Sequence, residues 1–432
     1  MSESAKKFGA FTLTMIVVGN AIGAGVYTTS GFALADLGNR IWVMLAWLIG
    51  GLIALCGAIS YGMLARRLTE SGGEYLYLSR HLHPSAGMIA GWISLLAGFT
   101  GAIAFAASAL EVYASSAYPS LTTLPYKSLA IGSIIFAGAI HIAGAGLGAA
   151  IHDFIVSIMI IALVGLCILG VWFFGIEGQA PSPAKTYTVG FDLSAFANSL
   201  VWISLSYSGF NAAVYVAGEA QNPEKSVTFS MVFGTIIMII LYFALNAIFL
   251  YVPDPAAVAG QAEIASIAAQ ALGGPQVRMG VEIIISISLL SSITAMLLAG
   301  PRVCAKMSED GVFPRMFAAE GGSIPRAAIF LQMILACLLV LFSDIQGLLS
   351  YLGFTLSLCL ALAVSTLFIR HIRFGERPKS IFYPIVPTIF ICATLLFSTL
   401  SAIREPAQLI AALATVLLGF SWFLYTNKRY SY

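Results

Sequence analysis

Charge is scarce in this chain: Asp, Glu, Lys and Arg together supply 9% of its 432 residues, where a soluble globular domain carries about a quarter. So few ionisable groups cannot clothe a folded surface in water. With 59% apolar residues and a mean hydropathy of +0.93, that surface must face lipid. Other absences narrow the function. A net charge of +2 with no basic tail leaves no sign of a nucleic-acid partner. The six cysteines, Cys56, Cys167, Cys304, Cys337, Cys359 and Cys392, lie scattered in apolar segments without CxxC or metal spacing, so they read as small packing residues. His81 and His83 share a polar loop in which nothing completes a metal site. No nucleophile, base and orienting group fall into a recognisable arrangement, so neither a cofactor nor an enzyme activity is expected.

What the chain does have is long apolar runs. Stretches able to span about 30 Å of hydrocarbon recur near residues 9–35, 40–65, 85–117, 128–146, 150–175, 194–218, 227–252, 275–305, 326–343, 346–370, 381–401 and 405–427. An all-helical integral membrane protein with about twelve transmembrane helices is expected. Lys6 and Lys7 precede the first run, but that run is too long for a secretory signal and lacks a small-residue cleavage site. If the helices alternate from a cytoplasmic N-terminus, 16 of the 21 Lys and Arg residues fall inside, with Arg40, Lys127, Lys185, Arg278 and Arg404 outside. That bias satisfies the positive-inside rule. It predicts a plasma (inner) membrane protein with both termini cytoplasmic.

Two spans are interrupted. The first contains Gly19, Asn20, Ala21, Ile22, Gly23, Ala24, Gly25 and Val26 in succession. Each glycine weakens a helix by about 1 kcal/mol relative to alanine, and lipid offers nothing to backbone groups freed by unwinding. Unwound backbone must therefore face protein or a polar cavity. A half-helix starting near Val26 would aim free N–H groups and the positive end of its dipole at an anion such as a carboxylate. Gly25 is expected to leave room for it. The sixth span holds a second cluster, Ser204 to Asn211, rich in serine with Gly209 and Asn211. Close helix packing explains one such cluster. Two, in the first and sixth spans, mark the leading helices of two five-helix units, as in inverted-repeat transporters. The predicted organisation is a transporter core over 1–370, with repeats at about 9–175 and 194–370, and two peripheral helices in 371–432.

These residues resemble a family. Gly19 to Val26, the loop from Ser71 to Tyr75, Tyr207 to Asn211 followed by Gly218 to Lys225, and Pro301 to Val303 with Met307 to Gly311 look like the motifs of amino acid-polyamine-organocation permeases, in order over roughly 9–315. The resemblance implies the fold shared with sodium-coupled neurotransmitter symporters, and amino acid transport by alternating access. It also implies that the N–H groups of Ala24 and Gly25, beside Gly23, bind the substrate carboxylate, and that carbonyls near Ile22, Leu205, Ser206 and Ser208 receive its ammonium. Zwitterion chemistry agrees, since opposed open helix ends supply donors and acceptors without a charged side chain in the bilayer. No buried carboxylate is required. The pattern has two departures. Leu205 stands where many relatives place a bulky aromatic gate, leaving Trp202 or Phe210 as substitutes. Several relatives carry a lysine in the fifth helix where residues near Ala162 and Leu163 stand here.

A cation is one candidate for the space that lysine vacates. Carbonyls of Gly19 and Ile22 would face Ser288, Ser291 and Ser292, which share one helix face by their i, i+3, i+4 spacing, and hard oxygens suit sodium. Serines also bond back to their own helix, and proton-coupled or exchanging relatives carry similar glycine motifs, so sodium and proton both stand as coupling ions. Glu111, Asp153, Glu219 and Glu282 are the acidic residues nearest apolar context. Glu219, just after the second break, is the expected cytoplasmic gate. Thr100, Ala102 and Ser108, with Ser206 and Ser208, suggest a site of little charge, favouring neutral L-amino acids over arginine or polyamines. A channel would call for rings of carbonyls or charges, and no repeated filter motif is present. A transport-dead sensor would share the same site.

Overall fold

A computed structural model describes residues 8–70, 72–143, 149–175, 190–318 and 325–430. Lys6, Lys7, Ser71, Lys185 and the side chain of Asp153 lie outside the described residues. The described chain is helical without a strand, as backbone immersed in lipid requires. The first span is split into α1 (Ala10–Ala21) and α2 (Ala24–Leu37), followed by α3 (Arg40–Ala65) and the short polar α4 (Gly73–His81). The third span joins α5 (Pro84–Ile93), a π-helical stretch (Ser94–Gly101) and α6 (Ala102–Ala117). Next come α7 (Ser128–Ile142), α8 (Ala149–Gly175) and α9 (Leu193–Tyr207), which opens into a 3-10 helix (Ala212–Glu219). The chain continues through α10 (Pro223–Tyr251), α11 (Pro255–Val258), α12 (Ile264–Glu309), α13 (Arg326–Phe342), α14 (Ile345–Phe374), α15 (Ile385–Arg404) and α16 (Pro406–Tyr430). Among the described residues ten helical segments are long and apolar enough to cross a membrane, and α7 and α13 are shorter, at 15 and 17 residues. Gly273 and Gly274 leave helical angles ahead of Pro275, so the spanning part of α12 begins where the eighth apolar run does.

Contacts sort the helix ends into two groups. At one end Phe8 pairs with the backbone of Glu219 and Gln221, the Tyr75 hydroxyl reaches Asp310 at 3.0 Å, Arg67 pairs with Glu376, and Trp422 donates to the Val312 carbonyl. At the other, Arg404 pairs with Asp36 and Asp192, and Lys127 Nζ donates to the carbonyls of Leu341 and Ser343. Successive spans therefore alternate in direction, and Phe8 and Trp422 share the N-terminal end. Between the ends, Trp47 packs edge-on against Tyr207 and Tyr242 and donates to Ser30 at 2.7 Å, tying α2, α3, α9 and α10 into one core.

Several helix ends are closed by their own sequence. The side chains of Asn39, Asp192 and Asp344 accept backbone N–H groups at 2.8, 2.8 and 3.1 Å, and Gly38 ends α2 in the left-handed region. Such caps satisfy donors and acceptors that a helix leaves unpaired. The two interrupted spans lack them at the interruption.

Candidate functional site

α1 stops because the Gly23 N–H turns back to the Ala21 carbonyl at 2.8 Å instead of reaching Gly19. The Gly19 carbonyl thus loses its helical donor. Tyr242 donates to the Ala21 carbonyl at 2.6 Å and fixes the end of α1 on α10. Gly23 is extended, and α2 starts at Ala24, two residues before the expected Val26, with no side-chain cap. The positive end of the helix dipole lies at its first N–H groups. The second break mirrors this chemistry. Ser208 and Phe210 donate to Leu205 and Tyr207, three residues back, so the carbonyls of Ser204 and Ser206 lose their usual partners.

The breaks touch. Gly209 has φ +115°, and a Cβ on it would lie 2.9 Å from Ala21 N. A Cβ on Gly25 would fall 2.5 Å from Ser206 Oγ and 2.9 Å from Ser206 Cα. Gly25 therefore makes room for the backbone of the other break. A cavity of about 200 Å³ lies beside this contact, lined by Gly23, Ala24, Gly25, Leu205 and Ser208. Since about 10–15 Å³ on this scale houses one water, a molecule of several heavy atoms fits. The cavity extends past Ile16, Asn211 and Tyr215 toward the N-terminal end, whereas Thr28, Thr29 and Ser30 on the far side are 0% exposed. There Tyr113 donates to the Tyr27 carbonyl and Gly260 to the Gly31 carbonyl, both at 2.7 Å.

Other expected site residues lie off this cavity. Ile22 is fully buried, Ser206 turns its hydroxyl to within 3.2 Å of Thr29, and Phe210 packs edge-on between Tyr61 and Phe390. Trp202 is buried against Phe32 and donates to Ser350 at 2.7 Å. Glu219 is exposed at the end of the 3-10 helix, where its carbonyl accepts the Phe8 N–H. Gly19, Ser288, Ser291 and Ser292 gather around a void of about 10 Å³, without Ile22, and of these Ser292 lines the larger cavity as well. From α8 that void meets Val156 and Met159 in place of Ala162 and Leu163, and Ser288 donates to Met159 Sδ at 2.6 Å. Glu111 accepts the N–H groups of Lys127 and Ala130 and so caps α7, while Glu282 is buried with Arg278 at 2.8 Å and Ser116 at 2.7 Å.

The family model described as amino acid permease matches residues 8–422. The chain belongs to this family. Among curated proteins the permease is 24% identical to the serine/threonine exchanger SteT of Bacillus subtilis (strain 168), an alignment spanning 98% of this chain and 97% of the exchanger. It is 22% identical to the b(0,+)-type amino acid transporter 1 of Mus musculus, over 99% of this chain and 89% of that one. It is also 22% identical to the large neutral amino acids transporter small subunit 2 of Mus musculus, over 96% and 80%.

Among the described residues one carboxylate lines the cavity at the breaks, and it is none of the acidic residues expected from apolar context. Glu74, 3% exposed in α4, lines the cavity on its N-terminal side. Tyr61 donates to its Oε1 at 2.8 Å and Asn211 at 2.6 Å, and the Tyr215 hydroxyl donates to Oε2. One carboxylate thus joins α3, α4, the second break and the 3-10 helix. The motif around Glu74 was visible in the sequence; its burial was not, because its partners are 13, 137 and 141 residues away.

Proposed function

We propose that this permease is a secondary-active transporter of neutral L-amino acids that works by alternating access, with its substrate held at the two helix breaks. The reading is carried by one observation: an uncapped helix start at Gly23 to Gly25 and a carbonyl-bearing helix end at Leu205 to Ser208 face the same cavity. A zwitterion matches both ends, its carboxylate on the N–H groups and its ammonium on the carbonyls. Neutral substrates are favoured by the small and apolar walls, Ala102, Ala106, Met296 and Leu356 among them. Glu74 offers little to a cationic side chain, since its two oxygens already accept three donors.

For coupling we favour exchange. The candidate sodium ligands enclose space for about one water, and the thioether of Met159 takes the Ser288 hydroxyl there. A soft sulfur is a poor wall for a hard cation. The relative named as a serine/threonine exchanger points the same way. The fold is proposed as two inverted five-helix repeats within 1–370, completed to twelve helices by 371–432. Both termini are placed on the cytoplasmic side of the plasma membrane, with the cavity then facing inward and Glu219 near its mouth.

Thermal unfolding of the purified protein tests the substrate reading. Neutral amino acids at a hundredfold excess over Kd should stabilise it by about 2.7 kcal/mol, and carboxyl esters, agmatine and putrescine should not. Tight binding of either amine would overturn the neutral assignment. Proteoliposome uptake tests coupling: exchange predicts equal rates in sodium and choline and a requirement for internal amino acid. Sodium-dependent filling of empty vesicles would instead establish symport.

A further inference from the structure

Among the described residues a larger cavity than the one between the breaks lies elsewhere in the permease. A groove of about 590 Å³ runs between α13, α14 and α16, and its rim residues Leu338 and Phe342 are 43% and 84% exposed on the outside of the bundle. One stretch of it is apolar, walled by Leu335, Leu338, Leu339 and Leu348. The end of the groove away from the N-terminal side is built of acceptors: the carboxylates of Asp344 and Glu405 and the amide of Gln408. Two polar atoms lining the groove are buried with no partner among the described residues, Gln408 Oε1 and Thr100 Oγ1, on residues 4% and 0% exposed. The Gln408 amide is anchored through Nε2 on Ser401, at 3.2 Å to its carbonyl and 3.0 Å to its hydroxyl, so the unpaired oxygen is held in place. An unsatisfied buried acceptor carries a free-energy cost that a donor would remove.

We propose that this groove binds a phospholipid with a primary ammonium headgroup. The ammonium, with three N–H donors, lies among Asp344, Glu405 and Gln408. The acyl chain follows the leucine wall. Lys127 adds a positive charge beside this end for the lipid phosphate: its Nζ donates to the carbonyls of Leu341 and of the groove residue Ser343, at 3.0 and 3.1 Å, and lies 5.2 Å over the Tyr126 ring. From Asp344 to Tyr351 on α14, and from Ala407 to Thr415 on α16, the groove is about 10–12 Å deep at 1.5 Å per residue, enough for the upper part of one chain. The site also reaches the transport machinery. Glu405 accepts Asn198 Nδ2 of α9 at 2.8 Å and the Ser350 hydroxyl at 2.9 Å, and Ser350 in turn accepts Trp202 of α9. A cation on Glu405 is thereby bonded to the helix that ends in the second break.

The experiment is native mass spectrometry of the full-length protein released from detergent, with phosphatidylethanolamine, phosphatidylcholine and phosphatidylglycerol of identical chains. The primary ammonium lipid should be retained about tenfold over its trimethylated counterpart, which has no N–H to give to the acceptors. Leu338→Trp fills the rim and should bring retention down to the trimethylated level, with the amino acid-induced thermal shift unchanged. Gln408→Leu, as a second variant, should narrow the preference between the two lipids. Equal retention of all three lipids, or retention unaltered in both variants, would overturn the proposal. A stable two-chain species that excludes lipid would do the same, by assigning the groove to a second copy.

Discussion

Gly25 and Glu74 act in opposite ways at the two breaks. Gly25 contributes by lacking a side chain, because even one carbon would sit 2.9 Å from the Cα of Ser206, and backbone has no rotamer with which to yield. Gly25→Ala should therefore push the breaks apart, at an overpacking cost of about 1–3 kcal/mol. About a tenfold loss of uptake is expected with unchanged membrane insertion, read by vesicle transport and by the amount of protein in the membrane; wild-type affinity would separate Gly25 from the site. Glu74 contributes by accepting. Glu74→Ala strands three donors, the buried Tyr61 and Asn211 and the half-buried Tyr215, at about 1–3 kcal/mol each, whereas Glu74→Gln keeps an acceptor and lets a tyrosine hydroxyl reverse. Thermal unfolding should show a drop of several degrees for the alanine and a far smaller one for the glutamine. An equal loss in both would mean that charge, not hydrogen bonding, holds the cluster.

At the level of helices, the breaks were legible because glycine and serine inside an apolar run contradict their surroundings. The residue at which α2 begins was not, since it depends on the Gly23 N–H choosing Ala21 over Gly19. The register of α8 was hidden for a different reason. Phe154, Ile158, Ile161, Val164 and Ile168 are exposed to the outside while Val156, Met159 and Leu163 are buried, so both faces are apolar and periodicity carries no phase. Hence Met159, one turn before Ala162 and Leu163, faces the serines of α12. The polar α4 yields a pH prediction. His81 is 7% exposed, and burial pushes its pKa down to about 4, aided by Arg370, Arg67 and Arg80 and opposed by Glu376. An unfolded chain takes up the proton near pH 6.5, so it binds more protons than the folded one between about 6.5 and 4, and stability falls as pH drops through that window. The melting temperature should decline from pH 7 to pH 5, and His81→Gln should flatten the decline. A parallel slope in the variant would assign the pH dependence to other groups.

Across the whole molecule the cavity between the breaks reaches the N-terminal end while the far end is shut, by Tyr113 on Tyr27, Gly260 on Gly31 and Arg404 on Asp36 and Asp192. No sequence pattern announces these pairings, because Tyr113 and Tyr27 are 86 residues apart and Arg404 and Asp36 are 368 apart. Their strengths differ. Exposed ion pairs contribute about 0–1 kcal/mol, so Arg404 alone is a weak bolt. Gly31 is the stronger control: a Cβ there would collide with the backbone carbonyl of Gln261, and the segment after α11 would have to leave α2. In an alternating-access cycle, Gly31→Ala should then shift the population toward a state open at the far end. Thr29, 0% exposed beside Ser206, reports that opening. With Thr29→Cys as the only cysteine of detergent-purified protein, a hydrophilic maleimide should label the Gly31→Ala variant faster than its parent, and saturating neutral amino acid should change the rate. Exchange by the variant should have a lower kcat with KM little altered, because each turnover must pass through the destabilised closed end. Equally slow labelling in both proteins would show that the far end does not open by releasing α2 from Gln261.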